Sequence, residues 1–297
     1  MQLLAQDLVN GILAGGILAV VALGFSLVWG IMNIINLAHG AFVMLGAYAT
    51  YQLTKSFGLD PFLTLPLSFV ILFALGYVIQ RFLINRVARA PILITFLLTF
   101  GLSLLVVNVA LLIWTGDTRG VTTSYSGANF TLAGVTVPWI KLDTLLAALV
   151  ITGLMHVWLT RTRTGRAIRA TSMDIGAAQL TGVRVRQIYA IVFGLGAGLA
   201  GVAGTLISMS YAMTPSMGDP FLIKGFVVCV LGGLGSVQGA LIGGLVYGVV
   251  EAFATQINVT IGTQSISGSG LQDAIALIVL IIVLIVRPTG IVGKAVV

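Results

Sequence analysis

Along this chain, polar positions interrupt apolar ones mostly in short gaps. A membrane-spanning helix needs about 20 predominantly apolar residues, and runs of that kind fall at about 8–29, 39–55, 62–84, 91–114, 142–160, 188–210 and 271–288. A further run, from about 222 to 257, is too long for one helix. Gly232, Gly233 and Gly235 interrupt it together with Ser236, so it divides into two shorter helices or half-helices. A Gly-rich break at membrane depth is tolerated only where it is buried in protein or lines a cavity. The pattern predicts an all-α integral membrane protein, one domain over residues 1–297, with a bundle of about eight or nine transmembrane helices. Two polar gaps are longer than the rest. Residues 115–141, rich in Thr, Ser, Gly and Val, read as an external loop forming a β-hairpin or a cap, and residues 161–187 read as a cytoplasmic loop.

Composition supports the membrane reading. Hydrophobic residues make up 58% of the chain and charged residues 8%, with a mean hydropathy of +1.12. A soluble domain is about a quarter charged, so the solvent around most of this surface is lipid. The net charge of +7 raises nucleic acid as a partner, but a nucleic-acid reader needs a basic stripe on a water-exposed face. Here the basic residues sit between apolar runs, which is a topology pattern. Arg81, Arg86 and Arg89, then Arg161, Arg163, Arg166, Arg169, Arg184 and Arg186, then Arg287 and Lys294 fall on one face if the helices alternate, eleven of the fifteen basic residues. The positive-inside rule makes that face cytoplasmic, with the C-terminus cytoplasmic and the N-terminus outside. The first basic residue is Lys55, so the opening run lacks a basic leader and reads as a retained helix. Cys229, the single cysteine, can form no internal disulfide.

The loop at 161–187 is the most informative segment. Ser172 or Thr171 is placed to cap a short helix over Met173–Thr181 that Gly182 ends. Ala177, Ala178 and Leu180 would give that helix a small, smooth surface. The six arginines alone would serve as a topology anchor; the Gly165 to Gly182 layout with its Ala pair favours a docking element.

The stretch Gly165-Arg166-Ala167-Ile168-Arg169-Ala170, followed by Asp174, Ala177-Ala178 and Gly182, resembles the ATPase-coupling loop of ABC importer permeases. Four further segments resemble the branched-chain amino-acid permeases of the LivH/LivM type, closer to LivH. They are Gly194–Gly204, Gly24-Phe25-Ser26-Leu27, the run Asn33 to Gly40 with Gly46-Ala47-Tyr48, and Leu231 to Ser236 with Gly239-Ala240. The resemblance implies a permease domain in a bacterial inner membrane. Its partners would be a second related or identical permease, two cytoplasmic ATPase subunits and a periplasmic substrate-binding protein. ATP binding would pull the docked loop helix and rock the spans. Gly165, Arg166, Arg169, Ala170, Ser172, Asp174, Ala177, Ala178 and Gly182 would carry that coupling. The substrate would be leucine, isoleucine or valine, with urea or a short amide as the alternative. A phosphate loop of the form G-x-x-x-x-G-K-[ST] does not occur in the sequence, so nucleotide would bind a separate subunit. A channel or secondary carrier independent of ATPases is the rival transport class. A membrane enzyme would need clustered His, Asp or Glu, and neither a cofactor nor a metal is expected.

Polar side chains at membrane depth are functional candidates by default. Asn33, Asn36 and Gly40 would share one helical face with His39 beside them, and a break in the helix near here would expose backbone groups to a polar ligand; the segment would either line the path or lock helices together. Thr95, Thr99 and Ser103 form a second stripe, facing substrate or bonding their own i−4 carbonyls. Glu251, the one glutamate, would face water, the cavity or a partner. Asp273 reads as a first-turn dipole partner of the last helix, and His156 as an interhelical hydrogen-bonding residue. Gly235, Gly239 and Gly243, and Gly244 with Gly248, repeat at i+4 as helix-packing positions. Finally, residues 24–30 leading to 39–48 resemble residues 225–233 leading to 238–247, by chance or as two related halves.

Overall fold

The computed structural model describes residues 2–87, 90–123, 125, 127–132, 134–257, 259–261, 264–266 and 268–293. Arg89 and Lys294, two of the residues used for orientation, lie outside the described residues. The chain runs α1 (Gln2–Met32), α2 (Ala38–Phe57) and α3 (Pro61–Ile79), which continues through a π-turn at Gln80–Ile84 into α4 (Asn85–Val87). After α5 (Ile92–Trp114) a hairpin of β1 (Asn129–Leu132) and β2 (Val135–Pro138) leads to α6 (Trp139–Arg161). Next come α7 (Arg163–Met173), α8 (Ile175–Leu180), α9 (Val185–Ser208), α10 (Gly218–Gly232) and α11 (Val237–Ala254). A second hairpin, β3 (Val259–Ile261) with β4 (Gln264–Ile266), precedes α12 (Gly268–Val286). Both hairpins are antiparallel.

The fold is that of an all-α membrane protein. Among the described residues, six helices are long and apolar enough to cross a membrane: α1, α3 extended to Val87, α5, α6, α9 and α11. α12 is apolar over Leu271–Val286. α1 starts nearer the N-terminus than its apolar run because Gln6 ties its first turns to the hairpin. Its Nε2 donates to the Thr136 carbonyl at 2.8 Å, and its Oε1 accepts from the Thr136 N–H at 2.8 Å.

Burial separates the core from the lipid-facing layer. In the most apolar stretch of α1 and of α9, 89% and 94% of residues are buried, against 22%, 17% and 28% in α3, α5 and α6. Leu97, Leu105 and Leu154 on the outer helices are exposed. In lipid this exposure costs nothing, and small residues rather than hydrophobic burial draw helices together. A Cβ on Gly46 of α2 would stand 2.5 Å from the Gly201 Cα of α9, so these helices touch backbone to backbone. One turn further along each helix, the close approach brings hydroxyls together. Thr50 Oγ1 donates to Thr205 Oγ1 at 2.8 Å. Ser68 Oγ of α3 lies 2.8 Å from Thr205 Oγ1, and Thr64 donates to Thr50 at 3.2 Å. All four hydroxyls are buried and join α2, α3 and α9.

The α11 glycines face two neighbours. Gly239 and Gly243 lie against α10, a Cβ on Gly243 standing 2.6 Å from the Val228 carbonyl oxygen. Gly244 and Gly248 lie against α1, where added Cβ atoms would stand 2.7 Å from Ala19 Cα and 2.6 Å from Gly15 Cα. Gly235 sits in the α10–α11 link with φ of 80°, against Gly30 at the end of α1. The segment after α12 closes this link: Ile291 N–H donates to the Leu231 carbonyl at 2.9 Å and Val292 N–H to that of Gly232 at 3.1 Å.

Candidate functional site

Residues 33–36 between α1 and α2 are non-helical and Leu37 turns into α2. Asn33 ends α1 in the left-handed region, φ 51°, a conformation Asn tolerates better than most residues. His39, in the first turn of α2, places Nε2 2.9 Å from the Val21 carbonyl oxygen. The first turn of α2 therefore lies beside α1 near Val21 and Gly24, set back from the end of α1 at Met32. The link thus turns back into the bundle, where side chains and the link itself meet its backbone groups.

Asn33, Asn36 and Gly40 do not share one helical face, because the helix is broken between them. Asn33 is exposed at the end of α1, whereas Asn36 is buried in the link. The Asn36 Oδ1 accepts from the Ala38 N–H at 3.2 Å, a local turn that starts a new helix instead of prolonging the old one. Gly40 packs on Gly218 and Leu222 of α10. A carbonyl only accepts, so the His39 Nε2 carries the proton and Nδ1 is left as an acceptor. The Asn36 Nδ2 and the His39 Nδ1 are buried without a partner among the described residues. The Phe25 ring meets His39 edge-on at 5.7 Å and Phe226 of α10 at 5.7 Å. Both of the similar sequence segments fold as helix, break, helix.

Thr99 of α5 satisfies the link. Its hydroxyl lies 3.1 Å from the Ile35 carbonyl oxygen and 3.0 Å from that of Phe96, and it accepts from the Leu37 N–H at 3.3 Å. Its own contact is thus with i−3, not i−4, and its main partners are on another element. Thr95 is buried and Ser103 half-buried on the same stripe.

At the end of the bundle that carries the 129–138 hairpin, Glu251 of α11 pairs with Lys224 of α10. Lys224 also reaches Asp273 of α12 at 3.3 Å, so Asp273 is an ion-pair partner in the second turn of its helix and not a first-turn dipole partner. Tyr211 lies near this group, and burial and the Glu251 charge raise its phenol above the ordinary range. On the neighbouring 115–138 loop, Tyr125 donates to Asp60 at 2.7 Å; burial and then this bond push its phenol up to about 12.

The opposite end carries the arginines and two short helices. Thr162 caps α7 by accepting from the Gly165 N–H at 3.0 Å, and Gly165 leaves room for Leu159 in the tight turn. Arg166 and Arg169 donate to the Arg161 and Thr160 carbonyls at 3.3 Å each, capping the end of α6. The short helix expected over Met173–Thr181 is α8, capped by neither Ser172 nor Thr171. Their hydroxyls turn back to the carbonyls of Arg169 and Ala167, at 2.8 Å each, as residues of α7. Asp174 is the cap: its N–H bonds to the Ala170 carbonyl at 3.1 Å and its Oδ1 accepts from the Ala177 N–H at 3.0 Å. Gly182, φ 85°, ends α8, with its N–H on Gln179 and that of Val183 on Ala178, both at 3.0 Å. Ala177 is exposed and Ala178 buried. Met173 and Leu180 project as bare apolar side chains, 87% and 91% exposed. His156 is exposed and makes no interhelical hydrogen bond among the described residues; it borders a cleft with Arg169, Ser172 and Gly235.

Three features escaped sequence reasoning. The Thr50, Thr64, Ser68 and Thr205 cluster had a signal: Thr50 and Thr205 each follow a close-packing glycine by four residues. Lys224 and Asp7 had none, since their partners Glu251 and Gln256 are distant in sequence. Among the described residues no group of three or more His, Cys, Asp or Glu could hold a metal.

The family described as branched-chain amino acid transport system / permease component matches residues 8–286. The high-affinity branched-chain amino acid transport system permease protein BraD of Pseudomonas aeruginosa is 33% identical, covering 97% of this chain and 95% of its own length. LivH of Escherichia coli, named in the same terms, is 32% identical over 97% of this chain and 95% of its own length. The probable branched-chain amino acid transport permease LivH of Methanocaldococcus jannaschii is 32% identical over 96% and 91%. No solved structure matches significantly. With the match running from α1 to α12, the chain belongs to the family of branched-chain amino acid transport system permease components.

Proposed function

We propose that this chain is a translocating subunit of an ATP-driven importer in a bacterial inner membrane, moving branched-chain amino acids delivered by a periplasmic binding protein. The observation that carries the reading is the α7–α8 segment. A helix as short as α8 is not stable by propensity alone, yet this one is capped at both ends by Asp174 and Gly182. The segment holds Met173 at the end of α7 and Leu180 at the end of α8 away from the bundle, an arrangement that suits insertion into a partner's groove. Gly165, Arg166 and Arg169 anchor the segment to α6, Ala170 joins α7 to the Asp174 cap, Ser172 bonds back within α7, Ala178 seats α8 on the bundle, and Ala177 leaves its outer face smooth. The arginine-bearing end is then cytoplasmic, the C-terminus with it, and two ATPase subunits dock there. A second permease, related or identical, completes the path.

The re-entrant link at 33–37 supports the transport half of the reading. Broken helices at membrane depth present backbone and side-chain dipoles to a polar ligand, and Asn36 and His39 hold side-chain nitrogens unpartnered among the described residues. Movement of α8 would reach this link through α9, which packs on both α2 and α8.

Reconstitution of this chain with its neighbouring permease, the ATPases and loaded binding protein tests the proposal. Leucine uptake is expected only with ATP. Uptake by this chain alone without ATP would overturn the reading in favour of a channel or secondary carrier.

A further inference from the structure

The end of the bundle opposite the arginines holds a cavity of about 360 Å³ between α1, α6, α10, α11 and α12. That volume lies in the range of small-ligand pockets, roughly 300–1,000 Å³. Its polar lining has an uneven charge arrangement. Lys224 is occupied, held between Glu251 and Asp273. Asp7 and Lys141, which also line the cavity, are not matched in this way.

Asp7 is 8% exposed. Gln256 Nε2 donates to its Oδ1 at 3.3 Å, while its Oδ2 is buried with no partner among the described residues. A buried carboxylate oxygen without a donor is costly. Lys141 makes no ion pair and no side-chain hydrogen bond among the described residues. Both line the cavity, yet no ion pair joins them among the described residues. Beside them, Ile17, Leu18 and Phe221 give the same cavity an apolar wall. Two separated, opposite, unmatched charges next to an apolar wall are the complement of a zwitterion with an aliphatic side chain.

We propose that this cavity is a receiving site for a free α-amino acid, with Lys141 taking the carboxylate, the Asp7 carboxylate the ammonium, and the Ile17–Phe221 wall the side chain. The site rests on the importer reading and names where, within this subunit, its substrate is first held. Glu251 and Lys224 then act as positioning residues: their pair ties α10 to α11.

The test is competition binding of tritiated L-leucine to the assembled transporter in nanodiscs, without binding protein. L-Leucine is expected to displace label at least about tenfold better than L-leucinamide, which lacks the carboxylate, or isocaproate, which lacks the ammonium; that is the share of one charge-assisted hydrogen bond. K141M should erase the preference over leucinamide and keep that over isocaproate. D7N should do the reverse, and K141R and D7E should restore both. Absence of label binding, equal displacement by all three ligands, or variants that discriminate as the parent does would each overturn the site. Should D7N fail to assemble, K141M with K141R decides, because Lys141 is only half-buried. ATP-driven leucine uptake in proteoliposomes without binding here sinks the site alone; absence of uptake sinks the importer reading instead.

Discussion

The Thr99 hydroxyl stands 3.1 Å from the carbonyl oxygen of Ile35, joining α5 to a link that belongs to neither helix it connects. In water such a link would be satisfied by solvent. In a bilayer every backbone group must find a protein partner, and Thr99 also accepts from the Leu37 N–H. One hydroxyl therefore answers for two backbone groups at the one place where α1 and α2 part.

Thr99→Val keeps the shape and removes both bonds. The expected loss is about 1–3 kcal/mol, the cost of leaving buried polar groups unsatisfied, read as a fall in the thermal unfolding midpoint of the purified protein. Thr99→Ser should recover most of it. Equal midpoints for Thr99→Val and the parent would show that the link is held by other contacts.

Asp174→Ala removes the cap of α8 and should cost about 1 kcal/mol locally. Little change in global stability is expected, since α8 lies at the surface, but ATP-driven uptake should drop severalfold while binding of loaded binding protein persists. Uptake at the parental rate would detach α8 from coupling.

Gly46→Val puts a branched side chain where a Cβ already meets the Gly201 Cα at 2.5 Å. Overpacking of this kind costs about 1–3 kcal/mol or more, and here it would also pull apart the Thr50 to Thr205 bond. Size-exclusion chromatography after membrane extraction should show loss of the monodisperse peak. Thr205→Val, which opens the hydroxyl cluster without adding bulk, should give a milder, purely thermal defect.

The Tyr125 to Asp60 bond predicts a pH effect with a definite sign. Burial first, and then the Asp60 bond, raise the folded phenol to about 12 from its ordinary value of 10.0. A raised folded value favours the protonated folded form, so this contribution is complete below the unfolded value and is lost as pH rises from roughly 10 toward 12. Ultraviolet difference titration of the parent against Tyr125→Phe should reveal one tyrosine ionising late, and Asp60→Asn should bring it earlier. A Tyr125 that titrates with the exposed tyrosines would show that the bond does not persist in solution.

Hydropathy alone located the six long apolar helices among the described residues, where eight or nine spans were expected, and the glycines at 232–235 marked the division of the 222–257 run, because apolar length and chain breaks are local properties of the chain. Gly182 as the end of α8 was legible for the same kind of reason: a left-handed terminus favours glycine whatever surrounds it. The α8 cap was misplaced onto Ser172 and Thr171, since three good capping residues stand together and only the turn of α7 decides which hydroxyls bond backwards. Tertiary structure decided the rest. The depth of the Asn33 to Leu37 link depends on His39 finding the Val21 carbonyl. Glu251 lost its isolation to Lys224, Asp7 met Gln256, and Thr50 met Thr205, all across long stretches of sequence. Such partnerships follow from which helices the glycines allow to touch, a property of the packed bundle that no single segment contains.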